Sequence, residues 1–596
     1  MAKKREDIAS GYKWAIDRMY ADEKSWSKEL AAAGKLAEKF KIHEGVFTQN
    51  AEALLAALRD RDKLWQKTER VYVYARMRRD EDNRSPKYQE AESKAAALLA
   101  KTSAAMAFFE PEFLTLPEGK VASFVKEKPE LKLYGHLIKR MLRQKAHVLS
   151  GGEEEIMARL GEVLGATGDI FTMINDADMK FGKVKNETGR LVELTHGNFS
   201  TFMESRKRSV RKQAYGAMYD AYIKQENTLA SAYSYNTKTG AVTASIRKYP
   251  SALAQALSPD NVNTKVYENL IMTVGEHLSV LHKYMKIKSR ILKLDKLEMY
   301  DMYVPLIRYP ERRISFEKAV AIMGEALAPL GEDYKEKAVS GALGGWIDVY
   351  ENEGKSSGAY SFGSYDSDPY ILMNFSGKMK DVFTLVHEMG HSMHSHYTRA
   401  AQPFVYGGHS IFTAEVASTV NENLLVRHLM RKAASEKERA YYIWLYLEGF
   451  RTTLFRQTMF AEFEKLTHET VESGEVLTAA FLAEEYGKLN SKYHGKAVVT
   501  DERIAREWSR IPHFYRAFYV YKYATGFSAA AALSERIMGG GDEEVSDYMR
   551  FLSLGDSADP IDLLKIAGID MSKPEPIAEA IKTFGKLVRE FDRLTK

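Results

Sequence analysis

The 596-residue chain contains no cysteine. That excludes disulfides and thiolate metal ligands, and it leaves histidine and carboxylate as the good ligands for an ion such as zinc. A cysteine-free chain fits a reducing compartment, and a cytoplasmic location is the expectation. Proline is scarce, with 15 residues in all, so long charged-apolar alternations continue without breakers and favour helices. Long hydrophobic runs are missing as well. The small-apolar stretch at residues 95–100 falls far short of the roughly 20 residues that span a bilayer. The opening MAKKREDIASGYKWAIDRMYADE carries basic residues with no apolar segment behind them, which does not read as a signal peptide. No membrane partner is expected. Nor does charge of one sign dominate: 86 basic residues stand against 81 acidic ones. Without a single-signed block, nucleic-acid binding has no compositional support. No linker rich in Pro, Gly or Ser marks a clean domain break, and no fixed-period repeat is visible.

The remaining composition is that of a large globular protein, with 45% hydrophobic residues. Residues 20–150 read as successive amphipathic helices. Residues 50–79 carry Leu54, Leu55, Leu58, Leu64, Trp65, Val71, Val73 and Tyr74 at near-helical spacing. Pro86 and Pro129 can each open a further helix, to about residue 109 and over 130–148. KFGKV and RLVELT flank a turn at Gly189 and predict a β-hairpin over 179–195. The basic cluster RKRSVRKQ at 206–213 reads as a solvated helix face, or more sharply as a contact for carboxylates. One helical tract is expected over 263–292 and another over 440–465, where Arg451 and Arg456 must be paired or exposed. WIDVY at 346–350 and YILMNF at 370–375 predict short strands, separated by a Gly/Ser-rich loop at 354–367. A strand edge leading into a metal-binding helix is a place where an extended peptide can add by main-chain pairing.

The chemistry concentrates in DVFTLVHEMGHSMHSH, residues 381–396. Ser376-Gly377 can start a helix, and Val382, Leu385, Val386, Met389 and Met393 give it one apolar face. His387 and His391, four apart, share another face and can bind one ion from the same side. Glu388 then sits near the position of a bound water. Gly390 in mid-helix costs about 1 kcal/mol relative to Ala, which suggests close approach by another backbone or a ligand. A third ligand is needed. His394 is displaced roughly 10 Å along the axis, His396 faces elsewhere, and position 397 is Tyr. The third ligand should therefore come from another segment, and Glu415 in HSIFTAEVAS is the candidate. Glu422, seven residues on, shares its helix face. It is either a carboxylate that orients a ligand histidine or an ordinary acid. Gly407-Gly408 allows backbone approach to a substrate, or a turn.

HEMGHSMH followed by FTAEVASTVNE resembles the oligoendopeptidase F branch of the thimet oligopeptidase family. The upstream GAYSFGSYDSDPYILMNFSGKMKDVFTLVHE and the downstream HFYRAFYVYKYATGFSAA are similar to it too. The likeness is strong over about 200–585 and looser before that. It implies a mainly α, multi-helical fold with a small sheet beside the zinc helix and a deep internal substrate channel. An N-terminal helical domain at 1–200 and a catalytic domain at 201–596 follow, with a soft boundary. It also implies one Zn²⁺ per chain on His387, His391 and Glu415, and short unstructured oligopeptides as substrates. His513 and one or two of Tyr519, Tyr521 and Tyr523 would stabilise the oxyanion. Tyr521 and Tyr523 are preferred, with Tyr519 behind them.

The reading is thus a zinc-dependent oligoendopeptidase in which Glu388 is the general base. His and carboxylate ligands also suit Co²⁺ or Mn²⁺. A zinc carboxypeptidase of related fold would share the motif but would need a cation, Arg516 or Lys522, for the terminal carboxylate. A zinc aminopeptidase is disfavoured, because its ligand Glu would fall at Ser410 and its G-x-M-E-N signature is absent. A non-catalytic helical peptide-binding protein would have no use for Glu388.

Overall fold

The computed structural model describes residues 3–308 and 313–596. Helices dominate it, and the strands are few and short. The chain divides into two compact units, each assembled from three separate stretches. The first takes Met1–Lys145, Glu311–His428 and Leu533–Gly568; the second takes Ala146–Pro310, Leu429–Ala532 and Ile569–Lys596. The soft boundary near residue 200 falls inside the second unit. No helix among the described residues is long and apolar enough to cross a membrane.

Two small sheets occur among the described residues. β1 (Lys183–Lys185) and β2 (Leu191–Glu193) form an antiparallel hairpin, whose turn is closed by Gly189 at φ +85°. β3 (Ile347–Asp348), β4 (Tyr360–Phe362) and β5 (Tyr370–Leu372) form the second sheet, in the order β3-β5-β4. β3 runs parallel to β5 and β4 antiparallel to it. The Gly/Ser-rich connection is therefore not a plain loop: it contains β4. Its Tyr-Ser-Phe alternation sends two aromatic side chains to one face and a serine to the other.

The first unit is built around this sheet. Helices Glu23–Phe40, Ala51–Glu81 and Pro86–Ala105 start where caps are available. Asp22 accepts from the Ser25 amide and Asn50 from the Ala53 amide, while Pro86 occupies the first helical position. Their apolar faces meet the N-terminal Trp14, Ile16 and Met19 and the sheet residues Tyr370 and Leu372 in one core, with Tyr360 and Phe362 packed against it. Asp348 on β3 is buried, which is tolerable only because it is fully paired. Arg5 donates to both its oxygens, at 2.6 and 3.1 Å, and Lys355 lies 2.8 Å away. Thus the N-terminal segment is pinned beneath the sheet.

The second unit is helical apart from the hairpin. Three expected features change here. The 263–292 tract breaks at His277 into Thr264–Glu276 and Leu278–Leu292. The 440–465 tract spans Glu436–Gly449, a π turn at Phe450–Phe455 and Arg456–Glu472. The basic cluster is not a solvated face throughout. Arg211 is buried and donates to Asp301 at 2.6 Å, and Arg208 joins it at 2.9 Å. Arg451 and Arg456 are both paired, with Glu448 at 2.7 Å and Glu507 at 2.9 Å.

Candidate metal centre

The helix Met379–Ala401 carries the H-E-x-x-H residues. Its start is fixed by Asp381, whose Oδ2 accepts from the backbone amides of Ser376 and Lys378 and from the Ser376 hydroxyl. Val382, Leu385, Val386, Met389 and Met393 are all fully buried, so the apolar stripe read from the sequence is the face packed inward. This sets the rotation of His387 and His391.

A second helix, Ile411–Lys432, crosses it at Gly390. A Cβ on Gly390 would stand 2.5 Å from Ser418 Cα and 2.9 Å from both the Ala417 carbonyl oxygen and the Ser418 nitrogen. All three are backbone atoms, so only glycine permits this approach. Asn421 supports the crossing by donating to the Val386 carbonyl at 3.4 Å and accepting from the Tyr334 hydroxyl at 3.1 Å. Gly407 serves a different contact. A Cβ there would stand 2.5 Å from the Tyr365 ring, so the glycine makes room for a side chain of the same unit.

The crossing brings Glu415 against the two histidines. Nε2 of His387 and Nε2 of His391 are 3.2 Å apart, and Glu415 Oε2 lies 3.6 Å and 3.9 Å from them. These three groups converge with their ligand atoms within 4.8 Å of one another, the one such cluster of His and carboxylate among the described residues. A tetrahedral ion with bonds of about 2.0–2.1 Å separates its ligands by roughly 3.3 Å, so the donor set fits such an ion with slight closure at Glu415. The other ring nitrogen of each histidine is also engaged. His387 Nδ1 hydrogen-bonds Glu422, and His391 bonds the backbone of Ala414. Both Nε2 atoms are thereby turned toward the cluster. His394 and His396 stand apart: His394 stacks on His409 at 4.2 Å, and His396 lies by Trp346.

The field at this point is negative. Three carboxylates, Glu388, Glu415 and Glu422, surround two imidazoles. Burial works against a charged His387, but the bonded Glu422 and the neighbouring Glu388 and Glu415 outweigh it and hold its pKa at about 9. His391 moves oppositely: burial, His387 and His409 press it down to about 3. Glu388 is 8% exposed, and burial, opposed by His387 and reinforced by Glu415, pushes its pKa up to about 7. An excess of carboxylate with two aligned imidazole nitrogens is the environment a divalent cation neutralises.

β4 flanks the centre. The Ser361 amide donates to the Glu388 carboxylate, and the Ser361 hydroxyl lies 2.8 Å from that of Ser392, the residue after His391. An amide that bonds Glu388 does not bond β5. The Ser361 main chain therefore faces outward, on the side of β4 that no strand among the described residues pairs. The sequence reading missed both serines; the short Tyr-Ser-Phe alternation between glycines was the available signal.

His513, Tyr519, Tyr521 and Tyr523 all lie in the second unit. Three of them gather. The Tyr523 hydroxyl is 3.5 Å from His513 Nε2, and the Tyr519 ring lies 6.1 Å from His513 and 5.4 Å from Tyr523. Burial and the charge of Arg516 push the His513 pKa down, which favours the neutral ring. Tyr521 is elsewhere. It is fully buried, with its ring 5.1 Å from Tyr267, so this preferred tyrosine belongs to the core. Lys522 is paired with Asp260 at 2.6 Å, and Arg516 lies over the Tyr519 ring at 4.6 Å.

Comparison with known proteins follows the same lines. Residues 201–583 match the model of peptidase family M3, and residues 112–181 match that of Oligopeptidase F. Oligopeptidase PepF of Bacillus subtilis is 44% identical over 99% of this chain and 88% of its own length. Among solved structures, a peptidase from Chlamydophila abortus superposes with a TM-score of 0.94 at 33% identity, covering all of both chains. Oligoendopeptidase-F from Enterococcus faecium gives 0.75 at 35% identity, over 96% of this chain and 99% of that one.

Proposed function

Because the chain belongs to peptidase family M3 and is a metalloendopeptidase of the oligoendopeptidase F type, we propose that it hydrolyses internal bonds of short unstructured peptides with one zinc ion held by His387, His391 and Glu415. The observation that carries this reading is the convergence of those three ligand atoms, with Glu422 on the far nitrogen of His387 and Glu388 buried alongside. A zinc ion bound there supplies Lewis acidity, which lowers the pKa of a coordinated water to about 7 and polarises the scissile carbonyl. The chain's own groups do the rest. Glu388 takes the proton of the attacking water at its carboxylate and hands it to the leaving amine. Burial of Glu388 raises its pKa above the ordinary value, the direction that suits a carboxyl that first takes up a proton and then gives it away. The substrate backbone pairs with the outward edge of β4 by donating to the Ser361 carbonyl, the Ser361 amide being held by Glu388; this pairing selects extended peptides and asks little of their side chains. Neutral donors from His513, Tyr523 and Tyr519 stabilise the oxyanion. Tyr521, buried against Tyr267, takes no part in this reading.

The test is cleavage of a quenched peptide of about eight residues blocked at both ends, with mass spectrometry of the fragments. The protein is assayed as purified, after chelation and after zinc is restored. Internal cleavage that disappears with chelator and returns with zinc is the expected result. Turnover that is indifferent to chelation with the metal verifiably gone would overturn the reading.

A further inference from the structure

In the second unit, a fully buried carboxyl meets a strained turn. Glu464, on the helix Arg456–Glu472, is 0% exposed. Its Oε1 accepts from the backbone amide of Phe518 at 3.0 Å. Phe518 has φ +56°, in the left-handed region that a bulky L-residue rarely enters. Strain of this kind persists only where the surroundings impose it, and it concentrates at working sites. The imposing groups here are few. The Phe518 ring is buried, 4.4 Å from His468 and 5.6 Å from Tyr267, and Glu464 takes the amide. The turn lies between the 3-10 segment Pro512–Tyr515, which carries His513, and the helix Tyr521–Gly539, which carries Tyr523. Tyr519 is the next residue along the chain.

We propose that Glu464 is a positioning residue for the cluster of His513, Tyr519 and Tyr523: its buried carboxyl holds Phe518 in the left-handed turn that sets where both tyrosines project. The proposal rests on the oxyanion role assigned above to that cluster. Without the turn, the chain would continue from Tyr515 with another phase, and Tyr519 and Tyr523 would leave the face that His513 shares. Burial pushes the Glu464 carboxyl well above its ordinary pKa, which favours its neutral form. Glutamine is its close substitute, since the amide oxygen can accept from Phe518 in the same way. Aspartate retracts the acceptor by one methylene, and methionine removes it.

The experiment compares zinc-loaded Glu464→Gln, Glu464→Asp and Glu464→Met with Tyr523→Phe, Tyr519→Phe, His513→Ala and the double variant Glu464→Met/Tyr523→Phe, on the blocked quenched peptide. Metal content and thermal unfolding are recorded for each. Tyr523→Phe should cut kcat by about tenfold or more, as loss of an oxyanion donor does. Glu464→Met should cut kcat similarly with KM within about twofold, and the double variant should fall little further than either single one. Glu464→Gln should retain most of kcat. If the Met variant fails to fold, the smaller Glu464→Asp carries the test by the same fall in kcat at unchanged KM. Normal kcat in a folded Glu464→Asp or Glu464→Met protein, beside a crippled Tyr523→Phe, overturns the positioning role alone. Normal kcat in Tyr523→Phe, Tyr519→Phe and His513→Ala overturns the reading of the cluster and this proposal with it.

Discussion

The two nitrogens of His387 have different partners, and that difference can be measured. Nδ1 is bonded to Glu422 while Nε2 faces Glu415 and His391. Replacing Glu422 with alanine leaves the ligand set intact but frees the ring to rotate. Zinc affinity should weaken roughly 10–100-fold, as read by competition with a chromophoric chelator, and an unchanged affinity would remove Glu422 from the site. Glu388→Gln should behave oppositely. The protein should bind zinc normally while kcat falls by about 10²–10⁴-fold, and normal turnover would refute the general base. The residues of this centre were legible because helical spacing alone puts His387 and His391 on one face. The burial of Tyr521 against Tyr267 was not legible: Phe518 turns the chain through a left-handed conformation just before the helix begins, and no pattern of residue types announces that turn.

Helices and strands add constraints that no single residue carries. The two helices that share the ligands touch backbone to backbone at Gly390. Gly390→Ala therefore cannot be absorbed by a side-chain rotation, and the helices must separate. Such overpacking costs about 1–3 kcal/mol, so the melting temperature should fall, and zinc affinity should fall with it because Glu415 moves away from the histidines. A variant that melts and binds zinc like the parent would contradict the crossing. The glycine was visible in the sequence as a mid-helix anomaly, although the partner helix was not. β4 was harder to see. Three residues bear no period long enough to stand out, and the strand exists because Tyr360 and Phe362 find a core supplied by helices some 300 positions earlier.

At the scale of the whole molecule, buried charge governs acid sensitivity. Glu507 is 2% exposed, and although burial opposes its charge, Arg456, Arg510 and the Tyr486 hydroxyl hold its pKa at about 2. Glu448 likewise stands at about 2: burial opposes its charge, while Arg451 and Lys288 outweigh that effect. Both folded values lie below the ordinary 4.5 of a glutamate, so the unfolded chain binds more protons between these limits. The contribution of these two carboxylates is full above about pH 4.5 and drains away as pH falls toward about 2. Urea unfolding at a series of pH values should show this, with a slope shallower by up to one proton in Glu507→Gln. That variant should also lose roughly 3–5 kcal/mol at neutral pH, because two arginines are left without their partner. An unaltered slope would deny Glu507 its part.

The division of the chain was the least legible feature, since composition carries no mark of which distant stretches will meet. A fragment of residues 201–596 would strip Trp14, Ile16, Val71 and Leu98 from Tyr370 and Leu372. Expressed alone, it should be recovered aggregated or be degraded by protease at concentrations the full chain resists; a stable, soluble fragment would show that the sheet tolerates the loss. The same threading bears on biosynthesis. The far end of the ligand helix is anchored through Thr398 to the Leu552 carbonyl and through Gln402 to that of Ser553. Those partners leave the ribosome some 150 positions later, a wait of roughly eight to thirty seconds at about 5–20 residues per second. During that interval the nascent chain already carries both histidines and Glu415 but lacks the contacts that anchor the end of the histidine helix, so an active peptidase is expected only near the end of translation.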